Sequence, residues 1–292
     1  MASTFDVTSS DGTVVRGWSN DGTGTPVLIS NGLGTVPESW PALIGSDSGY
    51  AVSTWYYRGT FGSQRPADRN RIRVEDHVAD AVAVLDAQGI DRALVACWSI
   101  GVNIGFELAQ RHPDRVAGLM AVAGVPGGTF ATMGAPWRVP RVLRKPLSVQ
   151  TAKALRAAGP VLTRLTPLIP VNPRTAWLIA HSGFLRPAAR PELLVPMLQE
   201  FLQHDWRWYM DLAIAASEHD PMDLTFVQCP TTLVAGRHDV LTSMHDMATA
   251  ASRIPHAQIS VLPGSHFLPL EYPELLSMVL ADLARRRDLQ AA

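Results

Sequence analysis

The chain has 292 residues, enough for one large α/β domain with an insertion or for two domains. A composition of 47% hydrophobic and 17% charged residues excludes disorder, collagen-like repeats and charged tails. Twenty-five basic residues stand against 26 acidic ones, a net charge of −1, so there is no chain-wide positive field to hold a nucleic acid.

The first residues carry charges and no apolar run behind a basic start, and no stretch is apolar for the length a membrane span needs. A soluble, cytoplasmic protein is expected. Phe5 to Gly17 reads as a hairpin about the Asp11-Gly12 turn. Pro26–Ser30 and Tyr50–Tyr57 are apolar, β-branched or aromatic runs that end at Asn31-Gly32 and Arg58-Gly59, as buried parallel strands do. Val74, Val78, Ala81, Val82 and Leu85 recur at helical spacing, and Gly89 follows as a stop. The alternation continues through strand 93–97, helix 102–110 and strand 118–123, and breaks at Gly124-Val125-Pro126-Gly127-Gly128. It resumes with strand 231–236, a helix over 244–253, strand 258–262 and a terminal helix over 273–286. Strands separated by helices of this length imply right-handed crossovers and a mostly parallel sheet. Cys97 and Cys229, with no C-x-x-C spacing, are expected to be reduced and buried.

The interruption is helical in pattern and punctuated by Pro136, Pro140, Pro146, Pro160, Pro167, Pro170, Pro173, Pro187, Pro191 and Pro196, which predicts a set of short helices. A helical insertion between two strands lands at the carboxyl edge of such a sheet, where ligands bind, so it reads as a lid. The other reading is an inert elaboration.

Cys97-Trp98-Ser99-Ile100-Gly101 closes a strand and opens a helix. It resembles the Gly-x-Ser-x-Gly nucleophile elbow of the α/β-hydrolase family, with Cys97 in place of the first glycine. A serine at its ordinary pKa needs a base, and the base needs an orienting acid. Of nine histidines, His266 stands just past the last strand in Pro263-Gly264-Ser265-His266-Phe267, similar to the family's histidine loop. Asp239 in Gly236-Arg237-His238-Asp239 occupies the position at which the resemblance places the acid, with Asp220 and Asp223 as alternatives. The order Ser99, Asp239, His266 matches that of the family. The turn Asn31-Gly32-Leu33-Gly34 resembles the family's His-Gly-x-x oxyanion loop with Asn31 replacing histidine. The resemblance then implies oxyanion donors at the Leu33 and Ile100 N–H groups. Trp98, Gly32, Phe267 and Trp208 are the candidate pocket residues. Tyr57-Arg58-Gly59-Thr60-Phe61-Gly62-Ser63 resembles a structural turn of the same family.

From Arg115 to Pro191 there are eleven basic residues and no acidic one. The apolar residues interleaved with them allow contact with anionic lipid, recruitment of a carboxylate-bearing substrate, or a solvated face balanced by later acids. The resulting expectation is an α/β-hydrolase fold: core over 1–126 and 222–292, helical lid over 127–221. It implies a Ser-His-Asp serine hydrolase that cleaves an ester or related acyl bond of an apolar small molecule, with no cofactor and no metal. The alternatives are a carbon–carbon bond hydrolase acting on a dienoate, and a ligand receptor that keeps the scaffold with little turnover. Oligomeric state is not legible.

Overall fold

The computed structural model describes residues 2–135, 137–182, 185–186 and 189–291, so Pro136 and Pro187 lie outside the described residues. Strands β1 (Ser3–Thr8) and β2 (Val14–Ser19) pair antiparallel with Val7 opposite Val15. Their turn has Gly12 at φ 84°, and the Asp11 carboxylate accepts the Thr13 N–H at 3.0 Å. β3 (Thr25–Ser30), β4 (Tyr50–Trp55), β5 (Ala93–Trp98), β6 (Val116–Val122), β7 (Thr231–Gly236) and β8 (Gln258–Leu262) complete a sheet of order β1-β2-β4-β3-β5-β6-β7-β8. β2 pairs antiparallel with β4, and every pairing from β4 to β8 is parallel.

Helices cover both faces because alternate strand residues point to opposite sides. Leu28, Val95 and Leu119 pack with Val78 and Leu85 of α1 (Val74–Ala87), Ile104 of α2 (Gly101–Arg111) and Met247 of α7 (Met244–Ser252). Val27, Leu94 and Met120 face the other way, onto Leu276, Leu280 and Leu283 of the last helix (Pro273–Ala291). Both cysteines are free; Cys97 is buried and Cys229 only half-buried.

Between β6 and β7 lie α3 (Arg141–Leu165), α4 (Pro173–Ala180), α5 (Pro191–Phe201) and α6 (Trp206–Ser217). The two ends of this insertion meet. Gly128 N–H donates to His219 O at 3.0 Å, Met222 N–H donates to Pro126 O at 3.4 Å, and a Cβ on Gly127 would collide with the Asp220 carbonyl. Asn103 of α2 binds the entering segment twice: its Oδ1 accepts Gly127 N–H at 2.7 Å and its Nδ2 donates to Thr129 Oγ1 at 2.8 Å.

The expectation of uniformly short helices fails at α3, which runs 25 residues with Pro146 and Pro160 inside it. Each proline removes one donor, to Val142 O and Arg156 O respectively. Packing outweighs that loss: Ala152, Gly159 and Thr166 form a buried seam, and an added Cβ at Gly159 would sit 2.6 Å from the backbone of Arg207 in α6. The Arg156–Asp211 ion pair and the Trp206 Nε1 to Thr166 Oγ1 hydrogen bond (2.7 Å) lie along the same contact.

Candidate active site

Four loops at the carboxyl ends of β3, β5, β7 and β8 converge. At the end of β5, Ser99 adopts φ 57°, a left-handed backbone that costs a non-glycine residue about 1–3 kcal/mol, and its N–H donates to Val122 O at 3.0 Å. Gly101 has to be glycine because a Cβ there would collide with the Ser30 carbonyl. Cys97 is accommodated by Gly105, one turn into α2, where an added Cβ would run into Cys97 Sγ. Gly105→Ala should therefore destabilise the protein by about 1–3 kcal/mol through overpacking. Cys97→Ala in the same chain should restore most of that loss in urea unfolding, since Cys97 Cβ stays 3.5 Å from the new methyl.

His266 follows β8 and is buried. Its Nδ1–H donates to Asp239 Oδ2 at 2.8 Å, and Ser99 Oγ–H donates to its Nε2 at 2.8 Å. Asp239, 3% exposed, also accepts the Leu241 and Thr242 N–H groups on Oδ1, both at 2.8 Å. Those bonds fix the carboxylate plane and leave Oδ2 for the imidazole. His238 N–H donates to Gly264 O at 2.9 Å, which ties the acid loop to the histidine loop. The alternative acids stand apart: the Asp220 side chain is exposed beside Lys145, and Asp223 holds the Thr225 turn.

The Asn31 turn is pinned by hydrogen bonds to three side chains. Asn31 Oδ1 accepts Trp40 Nε1–H at 2.9 Å, its Nδ2 donates to Thr54 Oγ1 at 3.3 Å, and its carbonyl accepts Tyr57 O–H at 2.7 Å. Gly32 O accepts from Thr35 N and Oγ1, at 3.2 and 2.8 Å, which orients the peptide that carries the Leu33 N–H. Among the described residues, neither Leu33 N–H nor Ile100 N–H donates to a protein acceptor. Both residues line the same cavity as Ser99 and His266.

That cavity holds about 650 Å³ and is walled largely by apolar side chains. Gly32, Trp98 and Phe267 line it, whereas Trp208 does not. The Trp208 indole N–H donates to Arg58 O at 2.7 Å, and its ring stacks under Arg65 at 4.6 Å. Helical phase explains the difference, since α6 turns Trp206, Tyr209, Met210 and Ala213 to the cavity and Trp208 away. The insertion adds Trp137, Leu147, Leu155 and Phe201 to the wall.

Three residues that are not among the sequence-predicted site residues hold the site. Glu271 is buried and accepts Ser265 Oγ–H at 2.6 Å, Ser265 N–H at 2.7 Å and Arg186 N–H at 2.8 Å, so it braces the histidine loop and joins it to the insertion. His204 is likewise buried, in an aromatic cluster with Phe61, Phe201 and Tyr209. Its Nε2–H donates to Gly34 O at 3.0 Å, and burial holds its pKa below the ordinary value. Tyr209 O–H donates to Leu33 O at 3.3 Å. His204 and Tyr209 act on partners 170 residues or more away, and Glu271 joins nearby Ser265 to Arg186, 85 residues away, so no local signal marks these roles.

The sequence profile of the alpha/beta hydrolase fold matches residues 25–273. The chain belongs to the α/β-hydrolase family. This α/β hydrolase is 30% identical over 264 residues to a protein of Azorhizobium caulinodans named "Putative carbamate hydrolase RutD", covering 89% of this chain and 91% of the other. It is 26% identical over 266 residues to 3-oxoadipate enol-lactonase 2 of Acinetobacter baylyi, 89% of each chain. A thermophilic esterase from Thermogutta terrifontis superposes with a TM-score of 0.73 at 19% identity, over 98% of this chain and 99% of that one. The sheet, the flanking helices and their order are those of that fold.

Proposed function

We propose that this α/β hydrolase is a serine hydrolase that cleaves a carboxylic ester or related acyl bond of an apolar small molecule through an acyl-enzyme. One observation carries the reading: the Ser99, His266, Asp239 chain of two 2.8 Å hydrogen bonds opens into an apolar cavity beside two unpaired backbone N–H groups. Asp239 accepts from Nδ1–H and so leaves Nε2 unprotonated, facing Ser99 Oγ. As Oγ attacks a carbonyl carbon, its proton passes to Nε2 and the Asp239 carboxylate stabilises the imidazolium. Charge develops on the carbonyl oxygen, where the Leu33 and Ile100 N–H groups are placed to receive it; one such donor is worth about 3–4 kcal/mol. His266 then returns the proton to the leaving group, and water resolves the acyl-enzyme by the same path.

The relatives' names support the same bond class. A carbamate, an enol-lactone and an ester each present a carbonyl carbon joined to a heteroatom, and each is opened by addition to that carbon. One further relative, epoxide hydrolase B of Mycobacterium tuberculosis, 32% identical to this chain over 126 residues or 38% of its length, is named for a different reaction. Family members that open epoxides or haloalkanes use aspartate where this chain has Ser99, which favours acyl chemistry here. The insertion over 127–221 serves as the lid, since its helices supply much of the cavity wall.

The test is labelling by a fluorophosphonate followed by a p-nitrophenyl ester chain-length series, on the protein and on Ser99→Ala. Stoichiometric labelling and chain-dependent turnover, both absent in Ser99→Ala, are expected. Labelling without turnover of any ester would overturn the acyl-bond reading, and absence of labelling would overturn the nucleophile.

A further inference from the structure

Helix α3 has two apolar faces, and only one of them is used. The seam of Ala152, Gly159 and Thr166 is buried against α6. At about 100° per residue, Leu143, Leu147, Ala154, Ala158, Val161 and Leu165 form a second stripe on the opposite side of the helix. All six are exposed, with Leu147 at 53%, Val161 at 60% and Leu165 at 55%. An outward apolar stripe on a helix already seated by its other face is not explained by core packing.

The charges beside it have one sign. Lys153 and Arg164 lie about a quarter turn from the stripe, on its flank. With Arg138 and Arg174 they have no ion-pair partner among the described residues, whereas Arg141, Arg144, Lys145 and Arg156 each face an acid. An apolar stripe with a cationic flank is the pattern of a helix that lies in a bilayer interface, its side chains in the acyl boundary and its cations among anionic headgroups. A second copy of this chain fits poorly, since a two-fold contact would bring the same cations together.

We infer that α3 docks this protein on an anionic lipid surface. The stripe is continuous with the cavity mouth: Leu147 belongs to both, and Trp137, 66% exposed, also lines the cavity. On the reading of that cavity as the substrate site, an apolar substrate dissolved in the bilayer enters without crossing water.

The experiment is co-sedimentation of the full chain with vesicles of phosphatidylcholine, with and without phosphatidylglycerol. The two flanking cations, Lys153 and Arg164, predict about thirtyfold stronger partition onto the anionic vesicles, weakened by added salt. Neither Val161 nor Leu165 lines the cavity, so V161E/L165E should lose vesicle binding while keeping its melting temperature and its rate on a water-soluble ester. Equal binding to both vesicle types, or unchanged binding by V161E/L165E, would overturn the inference. So would a dimer in light scattering that V161E/L165E dissolves, which would make this face a contact between copies. Vesicle binding is read without turnover, so a failed esterase assay leaves this result intact.

Discussion

Asp239→Asn is expected to lower kcat/KM by about 10⁴-fold with the fold unchanged, measured as initial rates on an ester alongside thermal melting. The magnitude follows from which oxygen does what. Oδ1 is held by the N–H groups of Leu241 and Thr242, both at 2.8 Å, and an asparagine keeps those bonds only by placing its own oxygen there. The amide NH₂ then replaces Oδ2 opposite His266 Nδ1. Two donors cannot face each other, so the imidazole moves its proton to Nε2 and presents N–H to Ser99 Oγ. The serine loses its base while every side chain stays in place. A fall of less than about tenfold would show that Asp239 does not set the tautomer, and no other carboxylate reaches His266 among the described residues.

Arg58→Met is expected to cost about 3–5 kcal/mol in urea unfolding, the effect of removing one partner from a buried ion pair. Arg58 is fully buried. It holds Asp80 through Nη2 and Nε at 2.7 and 2.9 Å, Asp11 through Nη1 at 2.6 Å, and the Arg71 carbonyl at 2.8 Å. Asp80 is also fully buried, and without the guanidinium it would keep only His77, at 3.3 Å. Arg58→Met/Asp80→Leu should therefore be more stable than Arg58→Met, since no orphaned charge remains. The acid limb of stability should move as well. Burial alone would raise the Asp11 carboxyl, but hydrogen bonds from Thr13 and Arg58 outweigh it and bring the pKa from 3.8 to about 2. A depressed carboxyl pKa contributes stability that is full above 3.8 and lost as pH falls toward 2. Arg58→Met should weaken that contribution and shift acid unfolding to higher pH.

The order of strands and helices was legible because each core strand is a short apolar run closed by a turn residue. Ser99, Asp239 and His266 were legible because each stands just past such a run. Trp208 was misplaced because one helix carries several aromatics, and only its rotation against the core decides which of them faces the cavity. The length of α3 was hidden by its prolines and by apolar residues on two faces, which blur the period that a single buried stripe would show. Asn103, Gly105, His204 and Glu271 stayed silent, since the bonds by which Asn103, His204 and Glu271 join separate segments span 24 residues or more and the role of Gly105 requires the packed strand and helix together.

The joint at which the insertion leaves and rejoins the sheet has a consequence for how such a chain changes over generations. Residues 126–128 and 219–222 are bonded to one another and to Asn103, so the core senses a single closed doorway rather than ninety-odd residues of helix. Lengthening a segment whose ends are already fixed costs little, about 0.6 kcal/mol for each doubling. Helices beyond the doorway are free to be lengthened, exchanged or resurfaced while Ser99 and Asp239 keep their seats on the sheet. Beyond the doorway the insertion is tied to the core by the Arg186 N–H held by Glu271, the His204 and Tyr209 bonds to the Asn31 turn, the Trp208 bond to Arg58 O and the Thr132 bond to Leu241 O. New substrate preferences can then arise in one module without re-evolving the machinery of the other.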